Sequence, residues 1–176
     1  MIGERTRTAL LGLLFLVFLV LSFVENALFF GISSIVLQNP VLSIGIIFVH
    51  NLIVISLILL GMTFYVRLVL LKVFSGQKYE YTVLEHPRIS AVTFTIIILF
   101  LSILRASILL FGGMNLQLLP LILLGSAPVG IVEGYGIYLT INKTLSRTMS
   151  MKGLAHIYIV FFVAAIIEVA FMNLLI

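Results

Sequence analysis

Five stretches run for twenty residues or more with at most one Asp, Glu, Lys or Arg each: about 9–30, 41–63, 90–113, 118–141 and 154–176. In lipid, a chain this apolar must satisfy its own backbone N–H and C=O groups, and an α-helix does so within a single segment. About 20 residues at roughly 1.5 Å each cover a hydrocarbon core of about 30 Å. The expected fold is therefore an all-α membrane protein of five transmembrane helices, forming one polytopic domain over residues 1–176. Composition excludes the soluble alternative: 62% of residues are hydrophobic and 9% charged, against roughly 45–50% and 25% in soluble domains. The opening "ERTRTALLGLLFLVFLV" has the basic start and apolar core of a signal peptide. Its length and the lack of a small-x-small cleavage site predict a retained first span instead.

The chain has no cysteine, which removes disulfides, thiolate chemistry and Cys-ligated metals. The net charge of +4 matters through its distribution. Arg5 and Arg7 precede the first span; Arg67, Lys72, Lys78 and Arg88 fall between the second and third; Lys143, Arg147 and Lys152 fall between the fourth and fifth. The intervening "GISSIVLQNP" and "GGMNLQ" carry no charge. Nine of ten basic residues thus lie on one side, which predicts a cytoplasmic N-terminus and an outer C-terminus in the cell membrane. The bilayer is the expected partner of these charges, and nucleic acid is not. The stretch "TFYVRLVLLKVF" either continues the second helix or lies on the membrane surface. "EHPR" is a turn, because Pro87 disfavours helical geometry at His86. His86 has no second metal ligand at helical spacing, and no cofactor is expected.

Ionisable groups inside a membrane are costly and face partners or watery cavities. Here they are Glu25, His50, Arg105, Glu133 and Glu168, one per span, accompanied by Asn26, Asn51 and Asn173. Counting inward from the span ends puts His50, Arg105 and Glu168 at one level, roughly 12–14 Å deep, with Glu25 shallower. That level predicts an Arg105–Glu168 pair, with Glu25 as the second candidate partner. Ala164, Ala165, Glu168 and Met172 share one side of the last span, and Ser102 shares a side with Arg105; both stripes are expected to face inward. The pair is either an ion pair fixing helix order or part of a substrate, ion or proton site. His50 beside Asn51 reads first as an interhelical hydrogen-bonding position.

The fourth span contains "LLGSAPVGIVEGYGIYL". Pro128 removes a backbone hydrogen bond, and the surrounding glycines make the segment thin, so a kink or break is expected near residues 126–130. A helix restarting there would aim free N–H groups into the bundle, with Glu133 on the next turn. Gly130 and Gly134 equally form a small-xxx-small pair suited to close helix contact. "APVGIVEGYGIYL" resembles the Pro-His-Gly-x-x-Glu signature of the stage II sporulation protein M-like membrane family. "IIFVHNLIVISLILLG" and "AAIIEVAFMNLL" are similar to that family's Asn-bearing second span and its acid-bearing last span. Pro128, Gly130, Glu133 and Asn51 match; the signature histidine is Val129 here. The resemblance implies a small multi-span protein without a reaction of its own. The family's namesake looks like a membrane partner of cell-wall-degrading proteins in spore formers.

Three functions follow as alternatives. One is a non-enzymatic scaffold, pore-like component or partner subunit, as a homo-oligomer or with another membrane protein. A second is an ion- or proton-coupled transporter or channel using the intramembrane groups. The third, an intramembrane hydrolase built on Ser126 with His50 or His156, or on a Glu133–His50 metal site, has no supporting motif. The expectation is a protein that is not an enzyme.

Overall fold

The computed structural model describes residues 3–36, 39–71, 78–111 and 119–175; the side chains of residues 26–27, 29–36, 78–81, 104–111, 119–123, 125–126, 172 and 174–175 are outside that description. Among the described residues the chain forms six helices and no strand: α1 (Glu4–Val36), α2 (Pro40–Leu70), α3 (Lys78–Glu85), α4 (Pro87–Phe111), α5 (Leu119–Leu145) and α6 (Met151–Leu175). The described part of each of the five apolar stretches falls within one long helix. Three segments, Glu4–Glu25, Pro40–Leu70 and Met151–Phe171, are long and apolar enough to cross a membrane, and Pro87–Ile103 is a shorter apolar helix.

Local sequence sets the helix ends. Asn39 caps α2, its Oδ1 accepting from the N–H groups of Val41 at 3.1 Å and Leu42 at 3.3 Å, and Pro40 follows where its missing N–H does no harm. The helix then continues through "TFYVRLV" to Leu70, so this basic stretch extends the second span and carries exposed Arg67 with it. His86 is the bend between α3 and α4, as Pro87 requires. The α5 C-terminus closes with Arg147 in left-handed geometry (φ 55°), Thr148 N–H donating to Lys143 C=O at 2.9 Å and Arg147 N–H to Thr144 C=O at 3.1 Å. Glycine usually occupies that position; arginine there costs about 1–2 kcal/mol. The tight turn sends α6 back antiparallel to α5, with Ser150 Oγ accepting from Gly153 N–H at 3.1 Å.

Helices α2, α5 and α6 pack against one another as a central trio; α1 flanks α2 and α4 flanks α5. On α2 the inward stripe is Ser43, Ile47, Asn51 and Ile55, each four residues from the last. On α5 it includes Val129, Ile137, Ile141 and Leu145, and on α6 Ile157, Phe161, Ala164, Ala165 and Val169. Buried Thr140 and Thr144 join the apolar core because their hydroxyls donate to the carbonyls of Gly136 and Thr140, four residues back. Lipid tails are as apolar as leucine, so contact between these helices rests on fit rather than on water exclusion.

Glycines supply that fit. The α1–α2 seam is reciprocal: Gly12 faces the Phe64 ring and Gly61 faces the Phe15 ring, while the two rings stack with centroids 6.4 Å apart. Between α5 and α6, a Cβ added at Gly136 would run into the Phe161 ring. Phe161 is 2% exposed and has nowhere to swing. Gly134 is buried against Leu99 of α4. Gly130, expected to share that role, has nothing within 4 Å of an added Cβ among the described residues. The pair therefore does not act as one contact surface inside the chain.

Two further expectations are corrected. The expected break in α5 is absent: the helix is continuous from Leu119 to Leu145 with Pro128 inside it, so no helix restarts after the proline and no N–H groups are freed there, while a kink at Pro128 stays an expectation. Pro128 is exposed, so its ring sits where no neighbouring helix needs the space. Ser102 on α4 is also exposed, its hydroxyl bonded at 2.9 Å to the Ile98 carbonyl; the inward face of α4 is carried by Ala91 and Thr95 instead.

A methyl group at Gly136 gains up to about 1 kcal/mol of helix propensity but overpacks the Phe161 contact, a cost of about 1–3 kcal/mol. Gly136→Ala is expected to lower the unfolding free energy in detergent by about 1–2 kcal/mol, the overpacking winning. Gly45→Ala, where an added Cβ meets nothing, is expected to be neutral or stabilising. Equal effects in a denaturation series contradict the packing.

Candidate functional site

The polar interior is divided between the two sides of α2. His50 points toward α1 and Asn51, one residue further and about 100° around the helix, points toward α5 and α6. On the first side His50 Nδ1 lies 3.0 and 2.9 Å from the two carboxylate oxygens of Glu25. The side chains are 14% and 22% exposed respectively, so the pair is mostly withdrawn from its surroundings without being sealed. Glu25 also lines a groove of about 690 Å³ whose other walls include Val41, Gly45 and Val49 of α2, with Asn39 also lining it.

This pairing gives Glu25, expected only as the second candidate partner of Arg105, a partner on α2 instead. The physical reason is depth. With its end at Val36, α1 runs past residue 30, so Glu25 sits eleven residues from the helix end while His50 sits ten from the start of α2. The two residues are level, and their helices are neighbours. Among the described residues α1 packs on α2 and α4 on α5, opposite members of the central trio. The side chain of Arg105, and with it the expected bond to Glu168, lies outside the described residues, as does that of Ser126.

On the second side, Glu133 of α5 neighbours one polar residue from each of the other two central helices. Glu133 of α5 lies beside the Asn51 side chain, and Glu168 of α6 is within electrostatic range of Glu133. Asn51 is 6% exposed, and its buried amide is the polar neighbour that the Glu133 carboxyl meets across the α2–α5 contact. Level neighbours confirm the register: Ile47, Ala165 and Val169 form one cluster of buried side chains, and Phe48 meets Phe162 edge-on at 5.3 Å. Gly134, next to Glu133, is the close-approach point for α4, while Pro128 and Gly130 lie one to two turns away toward the open side of α5.

Of the residues singled out from sequence, Glu25 and His50 form one unit and Asn51, Glu133 and Glu168 another; Pro128, Gly130 and Gly134 belong to neither. Sequence reasoning missed the Glu25–His50 bond because it placed the end of α1 too early. Among the described residues no group of three or more His, Asp or Glu gathers in one place. His156 is exposed near the start of α6, far along the bundle from His50.

Fold and site together define an all-helical membrane protein with ionisable groups in its interior. Comparison with protein-family models, with curated proteins and with solved structures finds no match for the chain.

Removing one member of a withdrawn ion pair leaves the other unpaired, a loss of about 3–5 kcal/mol for fully buried pairs. With the exposure that remains here, Glu25→Gln and His50→Gln are each expected to cost about 2–3 kcal/mol, below that range. The double variant should cost little more than either alone. Strictly additive losses in a double-mutant cycle contradict a direct bond.

Proposed function

We propose that the chain crosses the membrane five times, with N-terminus inside and C-terminus outside, and works without a reaction of its own as a partner subunit. Helices α4 and α5 complete the five crossings beside the three segments whose length and apolarity suffice. The resemblance to the stage II sporulation protein M-like family supports the same architecture and the same kind of work.

The observation that carries this reading is an unused small-residue face on α5. Inside the chain, Gly12, Gly61, Gly134 and Gly136 each receive a neighbouring side chain. Among the described residues none reaches Gly130, and Ala127, Pro128 and Ile131 around it are exposed. Small residues at a helix surface permit the close approach that drives association in lipid. An open face of this kind on the side of α5 turned away from the core suits a helix of another subunit.

Gly130→Leu should leave the helix content of the isolated chain unchanged and its unfolding midpoint unchanged or raised, since the helix gains propensity and no described side chain lies within 4 Å of an added Cβ. It should reduce association, read by cross-linking in native membranes, by several-fold or more. Unchanged cross-linking, or association that vanishes only when the chain also unfolds, contradicts the proposal.

A second reading, a cation- or proton-coupled transporter, is favoured by the convergence of Asn51, Glu133 and Glu168 on one place between three helices. Liposomes containing the purified protein should then show a flux that Glu133→Gln abolishes while assembly is kept. Absence of flux for protons and alkali cations leaves the partner-subunit reading alone.

A further inference from the structure

Two glycines of the long apolar helices are left open by the fold. An added Cβ at Gly45 of α2 or Gly130 of α5 meets nothing within 4 Å among the described residues, whereas Gly12, Gly61, Gly134 and Gly136 each receive a side chain. The two openings have opposite shapes. Gly45 is the floor of the groove of about 690 Å³, with Val41 and Val49 one turn to either side and Glu25 of α1 beside Val49 at the inner end. Gly130 adjoins a ridge instead. Leu124, Pro128, Ile131 and Tyr135 recur at the spacing of one helix face, and all four are exposed. The depths of groove and ridge coincide. Phe162 of α6 meets Phe48 of α2 and Phe161 covers Gly136 of α5, which puts Tyr135 level with Phe48 and Gly130 level with Ser43. The contact of Glu133 with Asn51 puts the same two residues level with Ile53 and Phe48. By either route Gly130 lies within one turn of Gly45, and Tyr135 within one turn of the Glu25–His50 bond.

We propose that the chain associates with a second copy of itself, the α5 ridge of one copy seated in the α1–α2 groove of the next, with Tyr135 of the first donating to Glu25 of the second. The inference rests on the partner-subunit reading above and names the partner. Association in lipid depends on close approach, which the glycine floor between two valines permits and which exposed Leu124 and Ile131 are placed to fill. The groove also asks for a hydrogen-bond donor at its inner end. Both oxygens of Glu25 lie against one nitrogen, His50 Nδ1, which uses part of the about four acceptor positions of a carboxylate. Tyr135 brings a phenol O–H to that level, and a phenol withdrawn from water takes an acceptor. The groove opens on the α1 side of α2 while α5 packs on the other, so the ridge that fills it belongs to another molecule. Helices α2 and α5 run the same way through the bundle, so both copies keep one orientation in the membrane. Because ridge and groove are different patches, the contact is head-to-tail and closes into a ring or continues as a chain.

The test uses two single-cysteine forms of the full chain, Gly45→Cys and Ile131→Cys, in a sequence with no cysteine of its own. The two carry different tags, are co-expressed, and are oxidised mildly in native membranes. The mixed disulfide dimer should exceed either same-form dimer several-fold. Adding Tyr135→Phe to the Ile131→Cys form should lower the mixed yield several-fold. Gly45→Leu, which fills the groove and leaves Gly130 as it is, should reduce cross-linking as far as Gly130→Leu does. Same-form dimers in excess overturn the proposal, because a two-fold contact pairs identical patches. A mixed yield indifferent to Tyr135→Phe also overturns it, as does a Gly45→Leu protein that associates fully. If Gly130→Leu lowers association while no mixed dimer forms, the partner is a different membrane protein; the partner-subunit reading then stands and the second copy falls. Unchanged association in Gly130→Leu removes that reading itself, so the two failures are told apart.

Discussion

A polar side chain in a membrane interior must find a partner on another helix or reach water, and the choice of partner decides which helices are neighbours. In this chain the rule acts through α2, the helix that carries His50 and Asn51 in succession. Because consecutive residues lie about 100° apart on a helix, the first turns to α1 and the second to α5 and α6. Helix α2 is thus fixed from two sides by polar groups, with apolar Ile47 and Ile55 above and below Asn51 on the same stripe. The remaining contacts follow from fit, with glycines on α1, α2 and α5 letting phenylalanine rings and one leucine close the gaps.

Much of the architecture was legible in the sequence. Each apolar stretch corresponds to a helix because lipid leaves the backbone no other local solution. The bend at His86 followed from Pro87, and the inward stripe of Ala164 and Ala165 from helical spacing. Both alanines are fully buried. The failures are as physical as the successes. Pro128 announced a break, yet proline removes only one hydrogen bond and α5 continues through it. Gly130 and Gly134 looked like one motif, but the helix turns about 40° over four residues, and only the second meets a neighbour.

Partner choice was the least legible part. Depth along a span is readable to within a turn or two, and α1 extends six residues beyond its expected end. That error put Glu25 about 6 Å shallower than His50, enough to hide a bond between adjacent helices. Which helices touch is not encoded in any single stretch. The order α1–α2 and α4–α5, with α2, α5 and α6 at the centre, emerges only when all five pack together. The meeting of Asn51, Glu133 and Glu168 depends on that order and was visible in advance only as three polar residues in separate spans.

The account rests on the face of α2 bearing Asn51 being turned to α6 rather than to lipid. The natural absence of cysteine makes this directly measurable by disulfide trapping in native membranes. Ile47, four residues from Asn51 on the same stripe, clusters with Val169 of α6, so Ile47→Cys with Val169→Cys should cross-link rapidly under mild oxidation. Val49→Cys with Val169→Cys, which starts from the opposite, exposed face, should not. Rapid trapping of the Val49 pair with none of the Ile47 pair would place Asn51 against the acyl chains and contradict the arrangement of the whole interior.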